Sequence, residues 1–112
     1  MADEGALLRE YAQSGSENAF AELVRDKGLS DRAGVILIVG QSKDDETTNL
    51  LRSALQDKDW SVRVAAAQMI ALTARVELRD DLLPLFTDKN RKVQFRAAGA
   101  FLHLAMIQYP QR

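Results

Sequence analysis

The sequence predicts an all-α solenoid, about three helix pairs stacked side by side behind an N-terminal capping helix. The chain matches itself at an offset of 31 residues, and apolar positions flanking the matched turns are spaced three and four apart, as on one helix face. Only two prolines and six glycines interrupt 112 residues, so long stretches are free to be helical.

The elements read in order as follows. A helix over about 4–13 forms the cap, Ser14-Gly15 ends it, and Ser16 caps a second helix over about 17–26. A third helix covers about 30–41. Within it Gly34–Gly40 encloses the β-branched run Val35–Val39, which by propensity reads as a buried strand. The repeat register says helix, and a lone strand would have no partner run to pair with. Gln41-Ser42-Lys43-Asp44 is a loop, followed by helices over about 45–56 and 60–74. A helix over about 77–87 contains Pro84, which removes a donor and crowds the preceding turn, so this helix is expected to be short or bent. A final helix covers about 91–108, and 109–112 is a tail. The expected organisation is a single repeat domain over 1–112: cap 1–15, repeats 16–43, 44–75 and 76–108.

The repeat itself is read from columns. Asp57 to Ala67 aligns with Asp88 to Ala98 and with Asp26 to Ile36, and Asp26/Asp57/Asp88 and Lys27/Lys58/Lys89 hold in all three copies. Before the turn, Phe20/Leu51/Leu82, Leu23/Ala54/Leu85 and Val24/Leu55/Phe86 are apolar columns. After it, Val35/Ala66/Ala97 and Val39/Ile70/Phe101 are apolar columns four apart. Asp59 and Asn90 stand where the second helix of each pair begins, where a side-chain oxygen can accept from the orphan amides of the first turn.

Composition narrows the function. Net charge is −1, from 15 basic and 16 acidic residues, so no bulk attraction toward nucleic acid or anionic membrane follows. With no cysteine there is no disulfide and no thiolate metal site. The longest apolar run is Val35–Val39, far short of the roughly 20 residues that span a bilayer. The opening Met1-Ala2-Asp3-Glu4-Gly5 lacks the basic start and apolar core of a secretory signal, so a cytoplasmic location is expected.

At Asp57–Leu72 and Asp88–Leu104 the pattern of acidic turn, Val-Arg, Ala-Ala and apolar residue resembles the HEAT repeat, in the short form common in bacteria. Asp57, Asp59, Val62, Arg63, Ala66 and Ala67 carry the match; Gln94 replaces the arginine in the third copy, and Asp31 the valine in the first. The resemblance spans roughly 17–108. It implies a right-handed αα superhelix whose second helices line a concave surface, and a protein-binding scaffold, with DNA glycosylases and bilin lyases as family minorities. Leu7 to Arg25 has a fainter likeness to the opening of extracytoplasmic-function sigma factors.

No catalytic set converges. His103 is the only histidine, no triad spacing accompanies it, and Gly34–Gly40 lacks the lysine and hydroxyl of a phosphate loop. Asp26, Asp57 and Asp88, with Arg32 and Arg63, read as a polar ladder tying successive turns, since equivalent residues of stacked helices sit roughly 10 Å apart, too far to share a proton. The expectation is therefore a non-enzyme without cofactor or metal, binding a protein segment through Trp60, Arg63, Val64, Gln68, Phe95 and Arg96. Trp60 has two readings, a plug between repeats or an exposed anchor. Lys89, Arg91 and Lys92, with Arg96, form a basic cluster at a helix N-terminus, where cations are unfavourable. They are candidate anion-binding residues and the basis of an alternative, nucleic-acid binding of the glycosylase type. The final helix is apolar nearly all round (Phe101, Leu102, Leu104, Met106, Ile107), which points to self-association or continuation of the stack.

Overall fold

Asp44 starts the first complete helix pair: its carboxylate accepts from the Thr47 amide at 2.7 Å and from the Ser42 hydroxyl at 2.6 Å, fixing where the chain turns helical. The computed structural model describes residues 32–108. The expected helices at 4–13 and 17–26, the Ser16 cap, the columns Phe20, Leu23, Val24 and Asp26, and the tail 109–112 lie outside the described residues.

The described elements are α1 (Arg32–Val39), α2 (Asp45–Ala54), α3 (Trp60–Leu72), two 3-10 segments, η1 (Val76–Leu78) and η2 (Asp80–Thr87), and α4 (Arg91–Gln108). No strand occurs among them. Val35–Val39 is helical, because register places Val35 and Ile36, both fully buried, against the stack. Gly40 ends α1 for a steric reason: a Cβ there would meet the Ile36 carbonyl oxygen at 2.6 Å and Met69 Cγ at 3.1 Å. Pro84 sits inside η2, and the first half of the third pair is 3-10 rather than α-helical, matching the short or bent helix expected there.

Packing follows the columns. The second helices stack directly, α1 on α3 and α3 on α4, while α2 packs on α3 and η2 on α4 within each pair. Leu51 and Leu82 are buried, as are Ala54 and Leu85, and Val35, Ala66 and Ala97 are inaccessible in all three copies. Alanine at these crossings lets helix backbones approach closely. Leu55 is buried, but its equivalent Phe86 is 38% exposed, because the third pair has no following pair against it among the described residues.

A guanidinium that the sequence did not single out locks the first two copies together. Arg75 is almost fully buried. It donates to Thr48 Oγ1 (2.9 Å), the Gly40 carbonyl (3.2 Å), Thr73 Oγ1 (2.5 Å) and the Ser42 carbonyl. Burial lowers its pKa, partly opposed by the charges of Glu77 and Asp44; a guanidinium nonetheless stays charged at neutral pH. Ala74 beside it adopts φ 53°, with Ala74 N–H donating to Ala71 O and Arg75 N–H to Ile70 O, so α3 ends in a Schellman turn with alanine at the left-handed position.

Candidate binding surface

The turn before each second helix is built twice from the same atoms. Asp57 accepts from the Asp59 amide at 2.9 Å, and Asp88 from the Asn90 amide at 2.8 Å. Asp59 then caps α3 through the Ser61 amide (2.9 Å), and Asn90 caps α4 through the Lys92 amide (2.8 Å). One turn further on, Arg63 Nη1 donates to the Asp57 carbonyl at 2.6 Å and Gln94 Nε2 to the Asp88 carbonyl at 2.5 Å. Gln94 thus keeps the part of the arginine's role that lies within its own copy.

The other part crosses between copies. Arg63 Nε and Nη2 meet Asp88 Oδ2 and Oδ1 at 2.8 and 3.1 Å, a two-pronged ion pair largely shielded from water. Burial pushes the Asp88 carboxyl up, but the Arg63 and Asn90 hydrogen bonds and the Arg63 and Lys89 charges outweigh it, so Asp88 titrates below the ordinary carboxylate range. Arg63, expected both in the polar ladder and among the partner-facing residues, forms the rung between turns. Around it a hollow of about 640 Å³ gathers Asp57, Asp80, Asp81 and Asp88 with Lys58 and Lys89. All four carboxylates are already engaged: Asp88 by Arg63, Asp81 by Arg52 at 3.6 Å, Asp80 by Arg79 at 3.3 Å and Asp57 by the Asp59 amide.

Further along the second helices, α3 and α4 enclose a groove of about 480 Å³ lined by Gln68, Ala71, Leu72, Phe95, Arg96, Gly99 and Ala100. Three sequence-derived candidates, Gln68, Phe95 and Arg96, come together here. Phe95 is 74% exposed and Leu72 68%, so the groove offers two large apolar side chains to solvent. Leu72 was missed, although its spacing four residues beyond Gln68 puts both on one face of α3. Gly99 keeps the groove open: a Cβ there would meet nothing within 4 Å.

Val64 does not join the groove. It is half-buried against the core. Trp60 opens α3 and is 40% exposed, and Lys92 Nζ lies 5.1 Å from its ring centroid. Lys89, Arg91 and Lys92 are all exposed at the start of α4, and His103 is exposed further along the same helix. Among the described residues no three metal-ligating side chains come together, and no helix is long and apolar enough to cross a membrane.

Residues 16–102 match the family of HEAT repeats. The chain belongs to the HEAT-repeat family. That match covers most of the sequence and agrees with the all-helical stack, whereas nothing supports the faint sigma-factor likeness of the N-terminal segment. No curated protein and no solved structure gives a significant match. HEAT repeats are commonly protein-interaction scaffolds, and the α3–α4 groove lies on the layer of second helices.

Proposed function

We propose that this HEAT-repeat chain is a non-catalytic interaction module that takes a helical segment of another protein into the α3–α4 groove. The carrying observation is the pairing of exposed Leu72 and Phe95 across the groove, with Gln68 and Arg96 as its polar edge. Burying two large apolar side chains stabilises a complex by about 1.5–3 kcal/mol each at most, and an arginine at the edge selects orientation. The groove therefore suits an amphipathic helix with apolar residues spaced three and four apart and a carboxylate facing Arg96.

The test is titration calorimetry of the purified chain against a captured partner segment, comparing wild type with Leu72→Asp and Arg96→Glu. Both residues are exposed, so both variants keep their helix content. A loss of about tenfold or more in affinity for each supports the groove. Unchanged affinity in both variants contradicts it.

A second reading, phosphate or nucleic-acid binding through Lys89, Arg91, Lys92 and Arg96, is favoured by one observation, the exposure of all four side chains along the start of α4. Phosphate contacts make affinity fall steeply with salt. A gel shift on duplex DNA and RNA at low salt, lost in Arg91→Glu, would support it, and no shift would remove it.

A further inference from the structure

The outer face of α4 and η2 is a second surface, which shares Phe95 with the groove but none of Leu72, Gln68 and Arg96. In the second copy, the positions that the third copy covers are Leu55, Val64, Ala67 and Ala71. Leu55 and Ala67 are buried, and Val64 and Ala71 are packed against the core. Thirty-one residues on, the same columns are Phe86, Phe95, Ala98 and Leu102, and all four are exposed, Leu102 by 60%. Met106, one further step along the stripe, is 58% exposed. Phe86, Arg91, Gln94, Phe95 and Ala98 line a shallow hollow of about 350 Å³ on this face. The face thus continues an interface the molecule already uses, with larger apolar side chains in the columns of Leu55, Val64 and Ala71.

The polar ladder says which occupant fits. A further repeat stacked head to tail would bring its own turn aspartate to the position that Asp88 occupies against Arg63. In the third copy the residue equivalent to Arg63 is Gln94, a neutral amide already donating to the Asp88 carbonyl, so no guanidinium would meet the incoming carboxylate. The stripe Arg91, Phe95, Ala98, Leu102, Met106 is instead complementary to itself when reversed. Arg91 stands at the amide-rich, positive end of α4, whose first turn has no acid, and the carbonyl-rich, negative end has no base in its last turn. Laid antiparallel, each positive end faces the other copy's negative end, and the small Ala98 falls at the midpoint. The chain's net charge of −1 leaves little repulsion between copies.

We propose that two copies of this chain associate through α4, antiparallel about a two-fold axis near Ala98, so that Phe95 of each meets Leu102 of the other and Arg91 faces Met106. An interface of this kind is isologous and closes at the dimer.

Sedimentation equilibrium of the full chain, over a range of concentrations, reads the stoichiometry. The expected result is a reversible species of twice 12.5 kDa that does not grow further. Leu102→Glu and Met106→Glu should each weaken it by about tenfold or more, while Leu72→Asp and Arg96→Glu in the groove leave it unchanged. Circular dichroism confirms that each variant remains helical. Because the chain has no cysteine, single cysteines report the geometry directly. Ala98→Cys should cross-link to itself on mild oxidation, Arg91→Cys should not, and Arg91→Cys mixed with Met106→Cys should form the mixed disulfide. A strict monomer at every concentration overturns the proposal, as do open-ended oligomers, or a dimer indifferent to both glutamate substitutions. Groove variants that lose a partner yet still dimerise would separate the two surfaces.

Discussion

Arg63 reaches across 25 residues to hold both carboxylate oxygens of Asp88, and the same guanidinium holds the Asp57 carbonyl of its own turn. One side chain therefore fixes the spacing between consecutive copies and the shape of the turn that launches α3. Both partners are largely shielded, so removing either leaves a poorly solvated group without its counter-ion. Arg63→Ala should destabilise the fold by about 2–4 kcal/mol, read as a lower urea midpoint. Arg63→Lys should recover only part of this, since an ammonium cannot span both oxygens. A change within about 0.5 kcal/mol for the alanine variant would contradict the role.

Acid should undo the same rung. The folded pKa of Asp88 lies below its unfolded value, so its stabilisation is fully present above the unfolded value of about 3.9 and is lost as pH falls through the folded one. Asp44, held down first by the Ser42 hydroxyl and then by Thr47, acts with the same sign. Unfolding midpoints measured from neutral to acid pH should fall in wild type below about pH 4. They should fall less steeply in Asp88→Asn. Equal slopes would assign the acid sensitivity elsewhere.

Three single-atom changes test the backbone account. Gly40→Ala pushes a Cβ into the Ile36 carbonyl and Met69 and should cost about 1–3 kcal/mol. Gly99→Ala, in the exposed interior of α4, meets nothing and should gain about 0.5–1 kcal/mol from helix propensity. Ala74→Gly, at φ 53°, should gain about 1 kcal/mol by relieving the left-handed alanine. Thermal melts of the three should order Gly40→Ala below wild type and the other two above it.

Arg75 offers a sharper case, since four oxygen atoms from three segments depend on it. Arg75→Met keeps the apolar stem but strands the Gly40 and Ser42 carbonyls, and should cost about 2–4 kcal/mol. Hydrogen exchange should then accelerate in α1 and α2 before α4. Uniform acceleration across the chain would show that Arg75 does not act locally.

The regular part of this molecule was readable because it repeats. Columns such as Val35/Ala66/Ala97 and caps such as Asp59 and Asn90 are set by helix period and turn chemistry, which are local properties of sequence. The run Val35–Val39 shows where local propensity misleads: β-branched residues in α1 are helical, with Val35 and Ile36 buried in the stack and Ile38 exposed. Arg63 carried two readings, a rung of the polar ladder and a partner-facing side chain, and only the arrival of Asp88 from the next copy shows it as a rung. Arg75 carried no signal at all, since an isolated arginine after a helix is ordinary until three loops converge on it. Of the groove lining, Gln68, Phe95 and Arg96 were legible from register, whereas Leu72 required knowing which side of α3 stays open.

The α3–α4 groove, as the proposed seat of a partner helix, is tested by the affinity of Leu72→Asp and Arg96→Glu for a partner segment, measured by calorimetry beside wild type, with melting temperature recorded on the same samples. Both variants should lose about tenfold or more in affinity at unchanged melting temperature. Wild-type affinity in both variants would contradict it.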